Sequence, residues 1–246
     1  MSTIGIAGPA RSGKEVTAEF LREYLQEEGV QSYIYRFADP LKTFLGRIFD
    51  WSFAELYGNR KDRQIDCVLH MDIVECVIAD MFGDYLFGKS ELRPAVNYLK
   101  EVLMEHFFVS GNWLSPVMRF QGSPRRCLQI AGTEWAQGFF GKNIWIYFAV
   151  EKMHDNPDST MIIPDVRFMA EADFCKTHGI LVSVKRDTSK YNVYSEHDSE
   201  RAFDQLMRMS DDVVMNYGSL GDLQEECKGI AFSYVCSAYG NMGCGK

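Results

Sequence analysis

The first seventeen residues, MSTIGIAGPARSGKEVT, restrict what this chain can become more than any other stretch. Ile4, Ile6 and Ala7 make a short apolar run that reads as a buried strand. Gly8-Pro9-Ala10-Arg11-Ser12-Gly13-Lys14 follows, with two glycines five apart and a lysine after the second, the frame of a phosphate-binding loop. Val16, Phe20, Leu21, Tyr24 and Leu25 then recur at helical spacing as far as Glu27. A strand, a tight glycine turn and a helix in this order aim successive backbone N–H groups and the positive end of a helix dipole at one spot. Lys14 adds a full charge suited to the outer phosphates of a nucleotide. The plain alternative for the same residues is a glycine-rich strand-to-helix turn that holds no nucleotide.

In the general motif a Ser or Thr follows the lysine and its hydroxyl binds Mg²⁺. Here Glu15 stands in that place, and Thr17 is the nearest hydroxyl. Glu15 is therefore the candidate metal ligand, directly or through water. Its charge also suits a helix N-terminus.

A chain of 246 residues suits one domain with room for an inserted subdomain, and 46% hydrophobic residues suit a full globular core. The formal charge of −8, with no stripe of Lys or Arg, speaks against direct nucleic-acid binding, so basic residues must act locally, on phosphates. Seven scattered cysteines without a CxxC pair point to reduced thiols and a cytoplasmic setting. Met1 runs straight into the first strand, which leaves no room for a signal peptide. No apolar run approaches the roughly 18 residues of a membrane span, so no membrane partner is expected.

Along the chain, Gly29 ends the first helix and Val30 to Phe37 reads as a second strand. Its exit, Ala38-Asp39-Pro40-Leu41-Lys42, leads into an apolar-periodic helix through Leu45 and Ile48. A polar loop at the C-terminal end of a strand is where open α/β sheets bind ligands. Lys42, on the first turn of that helix, is placed to reach a second phosphate; otherwise it is a solvated helix lysine. Residues 51–120 read as a mainly helical insertion that serves as a lid or acceptor-binding subdomain. Within it Ile65 to Tyr85 has helical spacing together with many β-branched residues, and Arg60 and Arg63 lie in a polar turn as phosphate candidates or surface charges.

Ser123 caps a helix with Pro124 at its first position, and Arg125 and Arg126 lie beside a glycine–threonine helix end at Gly132-Thr133. Arginine grips phosphate through two parallel hydrogen bonds. Trp135 and Trp145 flank an aromatic-rich segment that is mostly core, with one tryptophan free to stack on a base. Thr160 to Phe168 is a buried strand that runs directly into Asp165 and Arg167, the usual position for an acid that organises Mg²⁺ or substrate. Glu171 follows Arg167 by one helical turn. An Asp–Arg–Glu network with a structural role is the alternative. Ile180 to Val184 is a further strand with Arg186 at its exit, and residues 186–198 read as a short lid whose basic residues meet phosphate. Strands alternate with helices throughout, which argues a three-layer α/β/α domain with a mostly parallel sheet.

These segments, in order, resemble the bacteriophage deoxynucleoside monophosphate kinases, P-loop enzymes of the nucleoside monophosphate kinase fold. GPARSGKEVTAEFL resembles that family's loop, in which an acidic residue also follows the lysine. ADPLK at 38–42, RRCLQIAGTE at 125–134, IPDVRFMAEA at 163–172, HDSE at 197–200 and NYGSL at 216–220 resemble its later segments. The resemblance implies transfer of the γ-phosphoryl group of ATP to a dNMP with Mg²⁺, giving a dNDP for DNA synthesis. It implies that Arg11, Gly13, Lys14, Glu15, Val16 and Thr17 handle ATP, with Ser12 and Arg186 added by the loop motif and the lid. It implies an acceptor site of Ala10, Leu41, Lys42, Arg125, Arg126, Gly132, Thr133, Gly138, Trp145, Asp165, Arg167 and Glu171, to which the polar turn adds Arg63. Ala10 stands where the family can carry a lysine, so a side-chain contact is lost there. Lys14, Arg126, Asp165 and Arg167 are the expected catalytic set. Small-molecule nucleotides and a second copy in a homodimer are the expected partners. Two other readings share the loop: a kinase of another phosphorylated acceptor, such as dephospho-coenzyme A or phosphomevalonate, and a nucleotide-binding switch without turnover.

Overall fold

The computed structural model describes residues 2–86, 91–110, 115–186 and 197–239. In chain order they form β1 (Ser2–Ala7), α1 (Lys14–Glu27), β2 (Ser32–Ile34), α2 (Asp39–Phe49), α3 (Phe53–Leu56), β3 (Ile65–His70), α4 (Met71–Phe82) and α5 (Leu92–His106). Next come β4 (Val109–Ser110), β5 (Val117–Gly122), α6 (Pro124–Ile130), a π-helical segment (Ala131–Gln137), α7 (Gly138–Phe140) and α8 (Ile144–His154). The chain then runs through β6 (Thr160–Val166), α9 (Met169–His178), β7 (Gly179–Lys185), α10 (His197–Met209), β8 (Asp212–Met215) and α11 (Leu220–Tyr239). They fall into two compact units, residues 1–37 with 146–246, and residues 38–145. None of the described helices is long and apolar enough to cross a membrane.

The first unit is a five-stranded sheet in the order β2-β6-β1-β7-β8, with every described pairing parallel. Alternate side chains along a strand point to opposite faces. Ile4 and Ile6 of β1, with Ile162, Val182, Val184 and Val214, pack under Ala18, Leu21 and Leu25 of α1 and under Leu223, Cys227, Ala231 and Tyr234 of α11. On the other face Gly5 lies under α9: a Cβ there would stand 2.5 Å from the Cys175 sulfur. A helix layer thus covers each face, and the expected mostly parallel α/β sheet is present. The predicted strand over 30–37 is shorter, Ser32–Ile34, because the chain leaves the sheet after pairing with Thr160 to Ile162.

The second unit takes in residues 51–120 and extends to 38 and 145. Its helices enclose an aromatic cluster in which Phe44 stacks on Trp135 (4.6 Å between ring centres) and Phe82 on Phe140 (4.7 Å). It also holds an antiparallel sheet, β3-β5-β4, where the sequence reads as mainly helical. The difference lies at Ile65–His70, whose helical spacing belongs to two elements run together. Cys67 and Leu69 face inward while Asp66 and His70 face solvent, a strand's alternation, and α4 begins at the next residue with no turn between. No punctuation separates the two periods.

Candidate active site

Two left-handed residues bend the loop between β1 and α1, Arg11 at φ +63° and Gly13 at φ +105°. A Cβ on Gly13 would lie 2.4 Å from Asn216 Nδ2, and that amide donates to Ser12 O at 2.7 Å. The side chain after β8 therefore buttresses the loop from the space a larger residue would fill. Gly8 is as confined: its Cβ would meet Ser12 Oγ and Val184 O, each at 2.6 Å. Ser12 Oγ itself is buried with no hydrogen-bond partner, a polar atom that a ligand oxygen would satisfy.

Lys14 opens α1 and folds back over this loop, its Nζ donating to Gly8 O and Pro9 O at 2.7 Å each. Burial, and then the Arg167 guanidinium, push its pKa down to about 8, while Glu15 and Asp165 pull it back. Glu15 is exposed and ion-paired with Arg36, Nη2 to Oε2 at 2.5 Å. Thr17 is buried, its hydroxyl turned into the core beside the Cys227 thiol, away from any ion in solvent. The accessible donors are therefore carboxylate oxygens, Glu15 and Asp165, which suit a hard cation that completes its shell with water and phosphate. Ala10, Arg11 and Val16 lie on the exposed side of the loop and first turn. Arg186 follows β7, exposed and without an ion pair among the described residues. Residues 187–196 of the expected lid lie outside the described residues.

Asp165 ends the buried run of β6, and its Oδ1 accepts the Phe37 N–H at 3.1 Å, fixing the exit of β2. The turn into α9 is held by one carboxylate oxygen: Glu171 Oε2 accepts the N–H groups of Arg167 (2.7 Å) and Phe168 (3.1 Å). Burial pushes the Glu171 carboxyl up to about 7 against the pull of those two N–H groups. Arg167 is exposed and its guanidinium makes no hydrogen bond or ion pair among the described residues. Glu15, Asp165 and Arg167 are thus brought into electrostatic reach of Lys14 within the first unit.

The remaining candidates belong to the second unit. Lys42, on the first turn of α2, sits 4.0 Å above the Tyr57 ring and 3.8 Å from Asp39 Oδ1, which also accepts the Tyr57 hydroxyl at 3.0 Å. Arg125 is paired through Nε and Nη2 with the Asp62 carboxylate, and its N–H donates to Lys61 O at 2.8 Å. Arg126 lies over the Phe107 ring, 5.7 Å from its centre, with its N–H capped by Ser123 Oγ. Neither Arg63 nor Arg126 makes an ion pair among the described residues. The helix does not end at Gly132-Thr133 as the sequence suggests. It continues as the π segment, where Thr133 Oγ1 donates back to Gln129 O (2.7 Å) and Gly132 lets Leu41 in, 2.7 Å from where a Cβ would be. Gly138 faces Tyr98, 2.9 Å from its hydroxyl to the absent Cβ. Trp135 is core, fully buried, with its N–H on Ala95 O at 3.0 Å. Trp145, near the start of α8, is 7% exposed.

Sequence reasoning assigned no role to the side chains of Arg36, Asp62 and Asn216. Their roles come from partners 21, 63 and 204 residues away, a separation no local pattern records. A family model for deoxynucleotide monophosphate kinase matches residues 2–227. A deoxynucleotide monophosphate kinase of Enterobacteria phage T4 is 28% identical over 248 residues, covering 93% of this chain and 98% of the relative. A deoxynucleoside-5'-monophosphate kinase of Escherichia phage T5 is 24% identical over 211 residues, 80% of this chain and 83% of the relative. A putative deoxynucleotide monophosphate kinase of Acanthamoeba polyphaga mimivirus is 26% identical over 194 residues, 76% of this chain and 75% of the relative.

Proposed function

We propose, because this chain belongs to the deoxynucleotide monophosphate kinase family, that it transfers the γ-phosphoryl group of ATP to a deoxynucleoside monophosphate. The carrying observation is the loop at Gly8–Lys14, with its buttressed glycines, orphaned Ser12 hydroxyl and folded-back lysine. Arg11, Ser12, Gly13, Lys14 and Val16 bind the donor's phosphates and the adjoining part of ATP, and Arg186 meets them from the strand exit. Glu15 and Asp165 hold Mg²⁺, which when bound spreads the negative charge of the donor's phosphates. Thr17 contributes through packing of α1.

Phosphoryl transfer asks for positioning and charge neutralisation more than for covalent chemistry. Lys14 trades its two loop carbonyls for phosphate oxygens, an exchange favoured because the phosphate carries full charge. Within the second unit, Lys42, Arg63 and Arg126 are the cations assigned to acceptor phosphate; within the first, Arg167 is the cation so assigned. Leu41, Gly132, Thr133, Gly138 and Trp145 form the acceptor's surroundings, and Glu171 fixes the turn that presents Arg167. A homodimer is the assembly we assign, to be checked by sedimentation.

The test is ADP release from Mg·ATP with dGMP, dTMP, dCMP, dAMP and hydroxymethyl-dCMP in turn, against Lys14→Ala. Stimulation by particular dNMPs that vanishes in the variant is expected. Tight ATP binding with turnover indifferent to every dNMP would overturn the kinase and favour a switch.

A further inference from the structure

The acceptor half carries five basic residues in two short stretches, Arg60, Lys61 and Arg63 in the turn after α3, and Arg125 and Arg126 at the start of α6. They differ in how they are held. Arg60 is paired with Glu55 of α3 at 3.3 Å, inside a helix end closed by the Ser52 capping box. Arg125 is paired with Asp62 through two of its nitrogens, and its backbone N–H is bonded to Lys61 O at 2.8 Å. Side chain and main chain therefore tie the turn to the first residues of α6 at adjacent positions. Next in sequence to each end of this tie stands an arginine with no ion pair among the described residues, Arg63 beside Asp62 and Arg126 beside Arg125.

We propose that Asp62 and Arg125 form a strut that sets the spacing of a two-arginine clamp, Arg63 with Arg126, which closes on the acceptor's phosphate. Asp62 and Arg125 are then positioning residues, and Arg125 is not itself a phosphate ligand; this rests on the kinase reading above. The chemistry supports the division. Arg125 is forked onto Asp62 through its Nε/Nη2 edge, and turning that edge to phosphate would leave the carboxylate unpaired beside an incoming dianion. Arg126 and Arg63 meet no such competitor. The Asp62 carboxyl is held below its usual range chiefly by the Arg125 hydrogen bond, consistent with a pair that stays charged in use. A phosphate takes donors from two directions, and the two tied stretches are a turn and a helix start, each carrying one of the two arginines.

The two roles for Arg125 predict opposite signs at Asp62. Asp62→Asn, Arg125→Met, the double variant and the exchanged pair Asp62→Arg with Arg125→Asp are compared by initial rates, the dNMP and ATP each varied with the other saturating. For the strut, either single change raises the KM for dNMP by about tenfold, the size of a modest misplacement of binding groups. The KM for ATP is unmoved and kcat changes little. The double variant is no worse than either single one, and the exchanged pair regains most of the loss. If Arg125 grips the phosphate, Asp62→Asn releases it and lowers the KM or leaves it unchanged, Arg125→Met alone raises it about a hundredfold, and the exchange restores nothing; that result overturns the strut. Wild-type protein that turns over no dNMP takes down the kinase reading and the strut with it. Turnover in the wild type with mismatched single variants removes the strut alone. Both side chains are largely exposed, so the variants are expected to fold, and unchanged thermal midpoints verify it.

Discussion

The two units hold their working groups by different physics. In the first, the donor loop is clamped by main chain and burial: Gly8 and Gly13 have no space for a Cβ, Asn216 bonds the loop from behind, and Lys14 is partly desolvated. In the second, cations are oriented by other side chains, the half-buried Lys42 by Asp39 and Tyr57, and the exposed Arg125 of the strut by Asp62, while Arg63 and Arg126 are exposed. The contrast teaches where each half is fragile. A buried, backbone-built site fails through shape. An exposed, side-chain-built site fails through charge and salt.

The largest effect should come from Lys14→Ala, which removes the charge proposed to meet the transferred group. Turnover is expected to fall by about a thousandfold, read by ADP release at saturating dNMP. Lys14→Arg should recover little, since the folded-back pocket was shaped for a single ammonium. A mild Lys14→Ala phenotype would break the comparison at its base.

Gly13→Ala comes next. With φ at +105° and Asn216 2.4 Å from the new Cβ, it should lose about 1–3 kcal/mol of stability, measured by urea unfolding, together with ATP affinity. Adding Asn216→Ala should return part of the stability and none of the left-handed strain. Full rescue would mean that crowding, and not backbone conformation, is what the glycine answers.

A pH series sharpens the first half of the comparison. The Glu171 carboxyl is raised from 4.5 to about 7 in the fold. Between those values the folded protein binds more protons than the unfolded chain, so stability falls as pH rises from about 4.5 to about 7, and the loss is complete above that. Glu171→Gln keeps an oxygen for the two N–H groups and removes the titration. Its unfolding free energy should therefore exceed wild type by up to about 3 kcal/mol at pH 8 and converge on it near pH 4. A parallel pair of curves would sink the assignment.

Salt should give the smallest effect and the clearest division. Raising ionic strength from about 0.05 M to about 0.5 M shortens the screening length severalfold. The KM for dNMP should rise a few-fold, while that for ATP, assigned to backbone N–H groups and a half-buried lysine, should move less. Equal slopes would erase the distinction between the halves.

Much of this was legible in the chain, and what was hidden follows the same division. The strand Ile4–Ala7, the loop and α1 are contiguous, so spacing alone specified them, as it did the Ser123 cap. Asp165 and Arg167 were legible because a buried apolar strand runs straight into them. The antiparallel sheet of the second unit was not, since β3 abuts α4 and its partner β5 lies some fifty residues on. The Asp62–Arg125 tie was hidden for the same reason. Trp135 shows the limit from the other side: its composition fits a base-stacking residue equally well, and only its complete burial against Phe44 makes it core.

The π segment at Ala131–Gln137 has a consequence for how this family can change length. A π turn is what a helix adopts when it houses a surplus residue while keeping its two ends in phase. Deleting one residue from an ordinary α-helix swings everything beyond it by about 100°. A deletion inside Ala131–Gln137 instead lets the segment relax into α geometry, with Arg126 upstream and Phe140 downstream keeping their bearings. Relatives one residue shorter are expected to carry their gap here, and a deletion scan through α6 and α7 should find its only surviving variants within these seven positions.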